Sequence, residues 1–112
     1  TYINAHVDPT WLPPLVTPPF PEYTSGHSAI SASAATVLSH LFGDNFAFTD
    51  STGVYFGFPP RSFSSFHEAA YEAGISRFYG GIHYMFSIND ANEEGRKIGA
   101  WVLSTARTKK GH

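Results

Sequence analysis

Six of the eight prolines in this 112-residue chain lie in its first 24 residues: Pro9, Pro13, Pro14, Pro18, Pro19 and Pro21. Proline fixes φ, removes a backbone donor and disfavours helix at the residue before it. Neither helix nor strand is therefore expected across residues 1–24. The same stretch carries Trp11, Leu12, Leu15, Val16, Phe20 and Tyr23, which favour burial. A structureless lead of this length is uncommon inside a compact domain. The expectation is an extended segment lying across other parts of a longer chain.

The lead ends at Thr24-Ser25-Gly26-His27-Ser28, where a helix opens. Ile30, Ala34, Val37, Leu38 and Leu41 recur at the helical period, and Gly43 stands at the capping position, so residues 25–42 form the first helix. Residues 43–61 are a Gly/Asn/Asp/Pro connection with Phe46, Phe48, Tyr55, Phe56 and Phe58, expected as an aromatic-lined loop packed over the bundle. Ser65 and Glu68 have capping-box spacing. Phe66, Ala69, Ala70 and Ala73 share one face and Gly74 reads as the stop, which gives a second helix over 65–73. A third helix is expected to start near Asp90, with Glu93 at capping-box spacing. Gly95, Ile98, Gly99, Val102 and Ala106 lie on one face, and glycines four apart permit close approach of a neighbouring helix. Glu93 and Glu94 near its start and Arg107, Lys109 and Lys110 near its end complement the helix dipole. The class is all-α.

Composition excludes several functions. The formal charge of −2 argues against a nucleic-acid or anionic-membrane surface. There is no cysteine, hence no disulfide, thiolate nucleophile or cysteine zinc site. No apolar run reaches about 18 residues, so no membrane-spanning helix is expected in this part. With 42% hydrophobic residues and 16% aromatics, a packed core is expected rather than disorder.

Two clusters carry chemistry. At the start of the first helix, free N–H groups and the positive dipole end suit an oxyanion. Gly26 leaves a ligand room to reach them, and His27 titrates near neutrality. Fifty residues on, Ser76-Arg77 is followed across Gly80-Gly81 by His83. Arginine supplies a rigid, permanently charged fork for tetrahedral oxyanions. Two imidazoles with that fork can hold a phosphorus or vanadium centre, one bonding the central atom and one handling a proton. Neither cluster is specific alone.

Together they resemble motifs two and three of the type 2 phosphatidic-acid phosphatase and vanadium haloperoxidase superfamily, Pro-Ser-Gly-His and Ser-Arg-x5-His-x3-Asp. Thr17 to His27 and Gly74 to His83 are closest to the vanadium-haloperoxidase-like branch. The resemblance implies part of an all-α helical bundle of that type, with residues 1–112 as the C-terminal portion of one domain. Ser25 and Gly26 would bind oxyanion oxygens, Arg77 would clamp them, and His27 would be the acid-base. His83 would be the ligand to vanadate, or the nucleophile of a phosphatase that needs no cofactor. The substrates implied are hydrogen peroxide and halide, or else a phosphate monoester. An inactive helical remnant or interaction module is the non-enzymatic alternative.

Three departures from the pattern stand out. Thr24 replaces the motif proline. Ser87 stands where the family has an aspartate that orients the histidine, with Asp90 the nearest carboxylate. The family's first motif, a lysine, six residues and Arg-Pro, is absent, so the remainder of a longer chain is the expected partner that supplies it. Relatives are often exported, which makes a periplasmic or secreted protein the expectation. His6, His40, His67 and His112 match no motif, and structural or surface roles are expected for them.

Overall fold

The computed structural model describes residues 1–106. Arg107, Lys109, Lys110 and His112 lie outside them. Among the described residues the chain is mostly helical: α1 (Tyr2–His6), α2 (Gly26–Phe42), β1 (Phe48–Asp50), a 3₁₀ turn (Val54–Phe56), β2 (Arg61–Phe63), α3 (Phe66–Tyr79) and α4 (Met85–Thr105). The helical-bundle expectation holds. No helix among the described residues is long and apolar enough to cross a membrane.

The lead is not wholly extended. Residues before Pro9 are free of proline, and Thr1 caps a short helix there by accepting from Asn4 N–H. Asn4 Nδ2 in turn donates to Trp11 O at 2.7 Å, which folds the lead back on itself. Farther along, Leu15 lies where a side chain on Gly80 would meet it, and Pro14 lies beside Gly81. The lead thus runs past the α3–α4 turn and ends at the start of α2.

α2 packs chiefly on α4 and next on α3. Its N-cap is Ser25, and its buried face is Ser28, Ala32, Ala35 and Ser39. Much of the periodic apolar stripe lies off that face: Ile30 is 74% exposed. Ile30, Ala34, Val37 and Leu38 instead line an open groove of about 580 Å³ with Ile98 and Val102. The reason lies on α4. A Cβ on Gly95 would stand 2.3 Å from Ala29 O, and one on Gly99 would stand 2.7 Å from Ser33 O. At that separation only small side chains fit, Ala32 against Gly95 and Thr36 against Gly99, and larger ones such as Ile30 sit outside the contact.

The remaining boundaries also move for reasons of packing. Gly74 does not end α3. It is buried, with Ser28 Oγ and Ile88 Cγ2 where a side chain would go. The helix runs on to Tyr79, and Gly81, at φ +70°, takes the left-handed conformation of the turn. α4 begins at Met85, not near Asp90. Glu93 and Glu94 are therefore outside its first turn, and Glu93 pairs with Lys97 at 2.6 Å instead. The N-cap residue Tyr84 has its N–H bonded to Glu22 Oε1 at 2.8 Å, a long-range substitute for a local cap.

The 43–61 connection holds a two-stranded antiparallel ribbon, Phe48 opposite Phe63 and Asp50 opposite Arg61. Phe42, Phe46, Phe48 and Phe66 stack with centroids 5.1–6.1 Å apart. The tip does not pack over the bundle: Tyr55 is 91% exposed.

Ser65 caps α3 as expected, accepting from Glu68 N–H at 3.1 Å. Glu68 completes the start by accepting from Ser64 N–H and Oγ, both at 2.6 Å. Ser65→Ala should lower stability by about 1 kcal/mol, read from the urea midpoint of the intact protein.

Candidate active site

The two histidines reach one place by different routes. His27 is the second residue of α2, two positions past the Ser25 cap. His83 sits just before Tyr84, the N-cap of α4. Between Arg77 and His83 the chain folds on a single carbonyl: Arg77 O accepts from Ile82 N–H at 2.9 Å and from His83 N–H at 3.3 Å. The α2 and α4 ends meet where Ser25 N–H bonds Ser87 O at 3.5 Å. His27, His83 and Gly26 then line one cavity of about 410 Å³ with Phe20, Pro21, Tyr23, Thr24 and Ile30. The larger groove between α2 and α4 is apolar and carries no titratable group.

The histidines differ in environment. His83 is buried, and its Nδ1 lies 2.6 Å from the carbonyl of Glu22. A carbonyl only accepts, so Nδ1 carries the hydrogen, and in the neutral ring Nε2 is left with the lone pair. The Phe20 ring stacks on the imidazole with centroids 5.9 Å apart. His27 is held below the usual imidazole range by partial desolvation, then by the Arg77 charge and the neighbouring His83. The protonated form is thereby disfavoured.

Arg77, in the last turn of α3, does not line the His27 cavity. Its charge acts on His27, however, and its Nε is buried without a hydrogen-bond partner. Among the described residues only Ser39 Oγ shares that condition, and it lies about three turns farther along α2. A buried, unpaired guanidinium donor whose charge reaches His27 is suited to an anion. Gly26 leaves open space at its Cα, so the helix start is accessible.

Ser25 is placed differently from the sequence expectation. It is fully buried, accepts from Ser28 N–H at 3.4 Å and shares a 2.8 Å bond with Ser28 Oγ. The hydroxyl is committed to the cap and lies behind the cavity wall. Asp90 does not reach His83 either; it accepts from Tyr23 OH at 3.1 Å. Ser87 Oγ donates to Glu22 Oε2 at 2.8 Å rather than to the histidine.

Sequence reasoning missed Glu22. Its Oε1 is 3.4 Å from His83 Nδ1, in addition to the shorter bond from its own main chain. Burial works to raise its carboxyl, but bonds from Tyr84 N–H, Ser87 and His83 outweigh it and leave the group below the usual glutamate range. One signal was available: Glu22 is the only acidic residue between Asp8 and Asp44, five positions before His27.

The donor set suits an oxyanion rather than a divalent cation. No carboxylate lines the His27–His83 cavity, and no group of three metal-ligating side chains occurs among the described residues. The residues on its wall that could hold such an anion are His83, through Nε2, and Gly26, through its N–H.

Residues 3–110 match the family model of the VCPO second helical-bundle domain. The chain is also similar to a solved bacterial vanadium-dependent iodoperoxidase, at 54% identity and a TM-score of 0.88 over 95% of this chain. It spans about a quarter of that protein, 26% of its length. A comparison with curated proteins returns no match. The chain belongs to the VCPO second helical-bundle domain family, within the vanadium-haloperoxidase-like group that its two motifs resemble.

Proposed function

We propose that this chain forms the histidine end of a vanadium-dependent haloperoxidase site that oxidises halide with hydrogen peroxide. The supporting observations are the cavity shared by His27 and His83 and the unpartnered Nε of Arg77, whose charge acts on His27. His83 would hold vanadate through Nε2, while Arg77 and the Gly26 N–H neutralise its oxygens. The chemistry that bound vanadate supplies is Lewis-acid activation of peroxide toward halide. Peroxide, halide and one proton give hypohalous acid and water. His27, neutral and on the cavity wall, accepts the peroxide proton and returns it to the leaving oxygen. Iodide is the proposed halide, because the 54% identical solved protein is an iodoperoxidase.

The apolar groove flanked by Ile30 and Ile98 and the exposed lead residues Leu12 and Val16 are proposed to be covered by other helices of the same polypeptide. The chain's 26% share of the solved protein supports that occupant. The cationic contacts of the family's first motif would come from there too.

The test is peroxide-dependent oxidation of iodide and of bromide by the intact protein, with and without orthovanadate. Activity that requires vanadate supports the reading. Its absence at saturating vanadate and peroxide, with hydrolysis of a chromogenic phosphate ester in its place, would replace it with a phosphatase.

A second measurement concerns His27 alone. Without anion, its imidazole should titrate below an ordinary histidine, because desolvation and the Arg77 charge disfavour the proton. Inorganic phosphate should raise that midpoint by offsetting Arg77. Histidine NMR titration of the intact protein checks both directions.

A further inference from the structure

We propose that Glu22 is the positioning residue of His83, a carboxylate supplied by the proline-rich lead in place of the aspartate that the third motif would carry at Ser87. The proposal rests on the oxyanion-site reading above and concerns how its histidine is held.

Every hydrogen-bonding oxygen of Glu22 is used on the His83 segment. The main-chain oxygen takes the Nδ1 hydrogen at 2.6 Å. Oε1 accepts from Tyr84 N–H at 2.8 Å and lies 3.4 Å from Nδ1. Oε2 accepts from Ser87 Oγ at 2.8 Å. One residue therefore grips positions 83, 84 and 87 together and sets the ring relative to the first turn of α4.

The charge is needed as well as the bonds. A carboxylate 3.4 Å from Nδ1 fixes the ring's orientation and keeps its hydrogen on Nδ1, as carboxylates do behind metal-bound histidines. An aspartate at position 87 would reach the ring from α4 itself. Here serine stands there, fully buried, and it passes its only side-chain bond to Glu22. The carboxylate has moved from four residues after the histidine to 61 residues before it. Its approach to His83 depends on the lead following the α3–α4 turn, where Leu15 and Pro14 lie against Gly80 and Gly81.

Glu22→Gln removes the charge but keeps the main-chain bond and most of the shape. In the intact protein it should weaken orthovanadate binding by about 10- to 100-fold and move the His83 Nδ1–H proton resonance upfield. The melting temperature should change little. Adding Ser87→Asp to Glu22→Gln returns a carboxylate to the ring and should recover most of the affinity. A Glu22 that serves only as the cap of α4 gives a different result: affinity follows stability, the resonance stays, and Ser87→Asp restores nothing. That result overturns the proposal, as does unchanged affinity in Glu22→Gln. Failure of the unaltered protein to bind either orthovanadate or phosphate would remove the oxyanion site itself, and the positioning role with it. Unchanged affinity in Glu22→Gln removes the positioning role alone.

Discussion

Arg77→Ala in the intact protein should weaken orthovanadate and phosphate binding by about 100- to 1000-fold while leaving the anion-free fold as stable as before. The two halves of that result have one cause. In the absence of an anion the buried Nε has no partner. A buried donor left unpaired costs about 1–3 kcal/mol, so its removal takes a penalty away. The stem of the side chain still packs, and its loss offsets part of the gain. Once an oxyanion is bound, the same guanidinium makes charge-assisted bonds, and losing them costs ~3–4 kcal/mol, the stated range of affinity. Arg77→Lys keeps the charge but not the fork and should recover only part of the binding. His27 provides an internal check. Arg77 is one cause of its lowered titration, so that midpoint should rise in Arg77→Ala. Urea unfolding and calorimetric titration separate the outcomes. A large loss of stability would make Arg77 a structural residue.

The second large effect is on the fold. Gly95→Ala should destabilise the protein by about 3 kcal/mol, toward the upper end for overpacking. At an exposed helical site the same change stabilises by up to about 1 kcal/mol. Here the sign reverses because the new Cβ would stand 2.3 Å from Ala29 O and 2.8 Å from Ala32 Cβ. The first of these atoms is backbone and cannot rotate away. α2 must move off α4, and the Ser25–Ser87 bond and the shared histidine cavity move with it. Anion binding should therefore fall together with stability. Ala32→Gly added to Gly95→Ala should rescue only slightly, since the carbonyl remains. Full recovery in the double variant would show that Ala32, not the backbone, set the helix separation.

What could be read without the structure was what depends on neighbours in the chain. Ser25 and Ser65 mark helix starts because a hydroxyl reaches N–H groups two or three residues on. Ser-Gly-His and Ser-Arg-x5-His are local strings, and the fold that they resemble came with them. Gly95 and Gly99 announced a close helix contact through their spacing alone. The errors arose where a local signal met a distant partner. Gly74 looked like a stop but is a packing surface for Ser28 and Ile88. Asp90 looked like the start of α4, but Glu22 caps that helix five residues earlier.

Local hydrogen-bonding reach and helical spacing determined where α2 begins and ends and that Ser65 caps α3. Tertiary structure alone decided which face of α2 is buried, which hydroxyl is spent on a cap, and which carboxylate stands behind His83. Those outcomes depend on how closely two backbones approach and on where the lead crosses the α3–α4 turn, and neither distance is written in the order of residues along the chain.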